Sequence, residues 1–165
     1  MNTLTAGKLA PDIETSTVDG KNFSLDEARK QSPVLVAFFK VGCPTCQYTF
    51  PFLERLHRAY PGGKVQVVGV SQDNASDTRE FNQRFGVSFP VALDDTKKYP
   101  ASNAYGLVNV PSLFVVSPGG AIEQASIGWD KKEFEQINQR LAKAAGVPPA
   151  ALFKPGESVQ EFKAG

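Results

Sequence analysis

Two kinds of apolar pattern alternate along this chain. Val34-Leu-Val-Ala-Phe-Phe39 is an unbroken run of strand-forming residues between Pro33 and Gly42, the mark of a central strand covered on both faces. Residues 64–71, with Val65, Val67, Val68 and Val70, predict a second buried strand. Between the two, Phe50, Leu53 and Leu56 recur at helical spacing, so a helix is expected over 43–60 with that face toward the core. Pro51 inside it lacks a backbone donor and predicts a kink.

The flanking segments read in the same way. Residues 13–23 alternate loosely around Asp19-Gly20, a dipeptide that favours a two-residue hairpin turn. Ser24 with Glu27 is a capping box that starts a short helix ending before Pro33. Residues 77–85 predict a helix with Phe81 and Phe85 on one face and Gly86 as its stop. A short strand is expected over 89–93, then a helical stretch over 97–105 weakened by Pro100. Residues 112–117 and 121–128 flank Pro118-Gly119-Gly120, which predicts an antiparallel hairpin. Asp130 with Glu133 caps a last amphipathic helix, with Phe134, Ile137 and Leu141 inward, closed by Gly146 and Pro148.

Strands separated by helices up to residue 111, then a hairpin and a helix, make an α/β protein with a central mixed β-sheet flanked by helices. One domain is expected over 1–146. Residues 147–165, punctuated by Pro and Gly with Phe153 and Phe162 as anchors, are expected to form a loosely ordered tail.

Composition narrows the function classes. The 165 residues carry 18 Lys and Arg against 17 Asp and Glu, a net charge of +1 with both signs scattered. That balance offers no electrostatic footprint for nucleic acid or an anionic membrane surface. The longest apolar run, Val34 to Phe39, is far short of the roughly 18 residues a membrane span requires. Met1 to Lys8 contain no apolar signal region, so the chain as given is expected in the cytoplasm; a chain relieved of a secretory signal would look the same and belong outside it.

Cysteine usage is the informative feature. Both cysteines sit in Cys43-Pro44-Thr45-Cys46, which excludes scattered structural disulfides and reads, inside a β-α-β pattern, as a redox motif. With Cys43 at the helix N-cap, Pro44 takes the first helical position, where its missing N–H costs nothing. The amides of Thr45 and Cys46 then have no intrahelical acceptor, and the Cys43 sulfur can accept from them as a serine oxygen would. Those amides and the helix dipole favour a thiolate; cysteines so placed have pKa values lowered from about 8.5 into a range of roughly 3.5–7.5. Cys46, three residues on and on nearly the same helix face, lies within bridging reach. The pair suits thiol–disulfide exchange, with Cys43 as nucleophile and Cys46 as resolving thiol.

Zinc binding is the structural alternative, and it fails on ligands. A closed site needs four, yet the chain has one histidine and no second cysteine pair. His57 lies roughly 21 Å from Cys43 along a straight helix and reads as a surface or rim residue. No metal is expected, and no cofactor, because the electrons travel through sulfur.

These residues resemble the thioredoxin superfamily. Val34 to Cys46, followed by Phe50-Pro51, is similar to its first core strand, active-site loop and kinked helix. Val68-Gly-Val-Ser71, Phe89-Pro90, Tyr105-Gly106, Val110-Pro111 and Gly119-Gly120 follow in the order of the TlpA-like and redoxin (AhpC/TSA-like) branches. The resemblance spans residues 8–145 and implies a thioredoxin-like fold with an N-terminal β-hairpin extension and an α-β insertion over 74–93. It also implies that Val110 and Pro111 form the family's cis-proline loop, whose backbone groups pair with the substrate chain beside the disulfide. Read from the residues alone, Pro111 is an ordinary trans proline opening a strand. Gly42, Pro44 and Thr45 become the active-site loop, and Pro51 keeps a structural role at the helix kink.

Three positions depart from the family pattern. Gly42 stands where thioredoxins usually place Trp before the first cysteine, while Trp129 is remote and reads as a packing residue. Ala37 stands in place of the buried Asp of thioredoxin proper. Thr49 stands in place of the Glu that TlpA-like proteins often carry three residues past the second cysteine. The proton acceptor for the resolving thiol is therefore expected to be water or a residue of another element, or resolution to be slow.

The expected function is a thiol–disulfide oxidoreductase that meets protein disulfide or dithiol substrates and an upstream redox partner, as a monomer without nucleic acid. A peroxiredoxin-like thiol peroxidase is the alternative. Its Pro-x-x-x-Thr/Ser-x-x-Cys signature is missing in either register: Phe39 and Cys43 stand there ahead of Cys46, Val36 and Lys40 ahead of Cys43. Peroxide turnover at Cys43 through a sulfenic acid stays chemically open. A redox-inert module that docks a partner through its sheet or tail is the third reading, opposed by the intact cysteine pair.

Overall fold

The computed structural model describes residues 2–165. In chain order its elements are β1 (Glu14–Ser16), β2 (Asn22–Ser24), α1 (Leu25–Arg29), β3 (Val34–Phe39), α2 (Pro44–Ala59), β4 (Gln66–Ser71) and α3 (Ala75–Phe85). There follow β5 (Val91–Leu93), α4 (Pro100–Ala104), β6 (Ser112–Val116), β7 (Ile122–Ile127), β8 (Trp129–Asp130), α5 (Lys131–Ala145) and β9 (Phe162–Lys163). The central sheet has the order β5-β4-β3-β6-β7, with β3, β4 and β5 parallel and β6 and β7 antiparallel to their neighbours.

β3 holds the middle of the sheet, and all its side chains are buried. Successive side chains of a strand point to opposite faces. Leu35, Ala37 and Phe39 accordingly meet Phe50, Leu53 and Leu56 of α2, Phe81 of α3 and Phe134, Ile137 and Leu141 of α5. Val34, Val36 and Phe38 face the other layer, with Leu25 of α1, Ala101 of α4 and Tyr105 just beyond it. The result is a thioredoxin-like α/β fold with the β1–β2 hairpin in front and α3–β5 as the insertion. Ser24, Asn74 and Asp130 cap α1, α3 and α5 by accepting an amide three residues on.

Some local expectations change. Pairing of the first hairpin stops at Ser16 and Asn22, so its turn is longer than two residues. Thr17 bridges to Ala92 and the Val18 N–H donates to Val91, which draws this end onto the sheet edge at β5. Pro100 begins α4 instead of weakening a longer helix. At that position its absent N–H is harmless, and the Asp94 carboxylate takes the amides of Ala101 and Ser102. α2 runs on through Pro51, which withholds the donor that would have reached the Gln47 carbonyl.

Residues 147–165 run over the domain, which corrects the expectation of a loose tail. Arg55 grips both Glu157 carboxylate oxygens at 2.7 and 2.8 Å and also donates to the Leu152 carbonyl. Trp129 Nε1 donates to the Gln160 carbonyl at 2.7 Å, and the Gln160 N–H donates to the Tyr48 hydroxyl. β9 then pairs antiparallel with β8, Trp129 opposite Lys163 and Asp130 opposite Phe162. Phe153 packs on Phe52, Trp129 and Phe134, whereas Phe162 is 60% exposed. The tail is held largely by polar bonds to partners distant in sequence. Such bonds leave no periodic apolar trace.

Candidate active site

The chain leaves β3 at Phe39, at the carboxyl end of the parallel strands, and residues 40–43 carry it to the start of α2. Backbone groups along this loop are tied down. The Gln72 N–H donates to Phe39 O, the Cys43 N–H to Lys40 O, and Gln47 Nε2 to Val41 O at 2.9 Å. The Val41 N–H donates to Asp73 Oδ2 at 2.8 Å. The position of Cys43 is thereby set by both β3 and the end of β4.

Cys43 is the N-cap of α2 in extended conformation, with Pro44 opening the helix. Of the two amides expected near its sulfur, that of Cys46 reaches it, 3.2 Å from Cys43 Sγ. The Cys43 thiol, half-buried, donates to the Val110 carbonyl at 3.5 Å. The Val110–Pro111 peptide bond is cis, and Pro111 is buried beneath the same loop. The structure therefore brings Cys43 and Cys46 together with Val110 and Pro111, two stretches far apart in the chain. Both cysteines are free thiols.

Cys46 is fully buried one turn into α2. Burial pushes its thiol well above the ordinary range, and the hydrogen bond to Cys43 pushes the same way. The backbone of Lys40 opposes them, and the charges of Cys43 and Asp73 add to the rise. Cys43 is thus the sulfur open to a partner, and Cys46 the one that keeps its proton.

The departures from the family pattern become concrete here. Ala37 is buried without a polar group, and Thr49 spends its hydroxyl on the Thr45 carbonyl at 2.7 Å. Sequence reasoning missed Asp73, whose carboxylate ties the loop and acts on Cys46. Its place just past a buried parallel strand, at the same carboxyl end of the sheet as Cys43, was the available signal. A Cβ on Gly42 would meet nothing within 4 Å, so no contact demands glycine there. Thr45 is buried and donates to the Ala164 carbonyl, turning this loop residue toward the tail. Trp129 is a packing residue, stacked on Phe52 at 4.8 Å. His57 lies edge-on to Phe89, on the last turns of α2. Among the described residues no cluster of His, Cys, Asp and Glu suits a metal ion, and no helix is long and apolar enough to cross a membrane.

The sequence profile of the AhpC/TSA family matches residues 6–125. The chain belongs to the AhpC/TSA family. It is 30% identical over 135 residues to the thioredoxin-like protein YneN of Bacillus subtilis, covering 79% of this chain and 76% of that one. To the thiol-disulfide oxidoreductase ResA of Geobacillus thermodenitrificans it is 27% identical over 136 residues, 82% of this chain and 75% of the relative. The fold matches the thioredoxin domain of a thiol-disulfide oxidoreductase from Bacteroides vulgatus with a TM-score of 0.76 at 22% identity, covering 84% of this chain and 99% of that domain. Within the AhpC/TSA family this protein is of the thioredoxin-like kind, and its enzyme class is thiol–disulfide oxidoreductase.

Proposed function

We propose that Cys43 and Cys46 exchange disulfides with protein substrates, Cys43 attacking and Cys46 resolving. In the reductive direction the Cys43 thiolate forms a bond to one substrate sulfur as the substrate S–S bond breaks. The departing substrate sulfur takes up a proton. Cys46 then gives up its proton and bonds to Cys43 Sγ, the mixed disulfide breaks, and the second substrate sulfur leaves. Two electrons pass to the substrate, and an upstream dithiol restores the pair. The same steps reversed oxidise a dithiol.

One observation carries this reading: the half-buried, reachable sulfur of Cys43 caps a helix with the Cys46 amide aimed at it from 3.2 Å, while the second sulfur is fully buried. Asp73 is the carboxylate whose charge acts on Cys46, and this makes it the candidate acceptor for the resolving proton where Ala37 and Thr49 offer none. The cis-proline loop, 3.5 Å from Cys43 at the Val110 carbonyl, offers backbone groups to the substrate chain.

Reduction of insulin disulfides with dithiothreitol as electron source tests the proposal. The expected result is turnover lost in Cys43→Ser and a trapped mixed disulfide in Cys46→Ser. Activity retained in Cys43→Ser overturns it. Efficient peroxide consumption without insulin reduction puts a thiol peroxidase in its place.

A further inference from the structure

The tail falls into two parts with different holds on the domain. Up to Gln160 the anchors are strong: the two-pronged Arg55–Glu157 pair, Phe153 in the aromatic cluster, and Gln160 bonded to both Trp129 and Tyr48. Beyond it the hold is slight. The Lys131 N–H donates to Glu161 O at 2.9 Å beside a loose surface ion pair of the same two residues at 3.7 Å, two residues pair with β8, one side-chain bond comes from Thr45, and Phe162 is largely in solvent. A two-residue pairing to which the tail itself brings no buried side chain is marginal on its own.

What this slight segment covers is the reactive face. Thr45, between the cysteines, donates its hydroxyl to Ala164 O. The Gly165 backbone lies so close to Val110 that a Cβ there would overlap the Val110 carbonyl, which is also the acceptor of the Cys43 thiol. Lys163 O lies so near Gly128 that a Cβ on Gly128 would come within 2.8 Å of it. An extended backbone thus runs between β8, the start of α2 and the cis-proline loop. To its side a cleft of about 410 Å³, lined by Lys40, Cys43, Pro44, Val108, Asn109 and Val110, leaves the sulfur reachable.

We propose that residues 161–165 are an intramolecular strap lying where an extended protein substrate pairs with the cis-proline loop, so that protein disulfides reach Cys43 only after the strap leaves, while small disulfides enter beside it. The inference rests on the exchange function proposed above. Gln160 is the hinge, because firm anchoring ends there. Extended polypeptide is the ligand class, since the groove already holds such a segment by its backbone.

The test compares the full chain, a chain ending after Gln160, and full-length Gly165→Val, whose side chain has no room against Val110. Each is assayed on insulin and on hydroxyethyl disulfide. If the strap leaves the groove open about a tenth of the time, both variants reduce insulin about tenfold faster, with rates on the small disulfide within about twofold. Adding the peptide Glu-Phe-Lys-Ala-Gly to the shortened chain returns its insulin rate toward that of the full chain and shifts Trp129 emission. An insulin rate that does not rise in either variant while the small disulfide is reduced normally overturns the strap. Should no protein reduce either disulfide, the exchange function fails; the emission change on adding peptide then decides the strap by itself, present supporting it and absent overturning it.

Discussion

Asp73 Oδ2 accepts the Val41 N–H at 2.8 Å, which hangs the loop ahead of Cys43 from the end of the neighbouring strand. The carboxylate also acts on Cys46, a thiol that must lose its proton to finish the exchange. Asp73→Asn keeps an acceptor oxygen for Val41 and removes the charge. Resolution of the mixed disulfide should slow by about 10²-fold at neutral pH, the lower range for a lost general base. The residual rate should climb with pH from a lower onset, since removing the charge brings the Cys46 thiol down. Stopped-flow measurement separates this step from the first attack. An unchanged resolution rate would remove Asp73 from the mechanism.

Glu157 carries the acid dependence of the tail. Its hydrogen bond from Arg55, assisted by the Lys154 amide, pulls the carboxyl down to about 2. A folded value below the unfolded one means that the clamp is at full strength above the usual carboxylate range and is lost as pH falls toward 2. Protection factors over residues 157–163, taken against the intrinsic exchange rate at each pH, should therefore fall as acid is added. Glu157→Gln should show the faster exchange already at pH 7, on the order of fivefold, with most of the pH dependence gone. Equal protection in variant and parent would show that the tail stays put without this pair.

Tyr60 joins the end of α2 to α5 and the tail. Its hydroxyl donates to Asn138 Oδ1 and accepts the Ala150 N–H, and both Tyr60 and Asn138 are buried. Tyr60→Phe leaves those partners without it, which should cost about 1–3 kcal/mol. Urea denaturation should show a lower midpoint at unchanged slope. A loss under about 0.5 kcal/mol would mean that the partners rearrange or find water.

Much of this architecture is written in local pattern. The unbroken run at residues 34–39 can only be buried on both faces, and it forms the middle strand. Phe50, Leu53 and Leu56, or Phe134, Ile137 and Leu141, need nothing but helical spacing to mark a core face. Cys43, Pro44 and Cys46 specify a cap, a first turn and a buried second thiol through backbone chemistry that operates over three residues.

Pro100 shows where local reading falls short. A proline weakens a helix or starts one according to its position, and here the Asp94 carboxylate, bonded to the amides after Pro100, marks the start. Asp73 and the tail follow the same logic: their bonds reach Val41, Arg55, Trp129 and Thr45 across 31 to 119 residues of sequence. Burial in a strand or helix repeats with the period of the backbone, so sequence alone determined the sheet, its helices and the reactive pair. A single polar bond between distant residues has no period, so only tertiary structure decided that a carboxylate just past β4 meets the cysteine loop and that the tail crosses it.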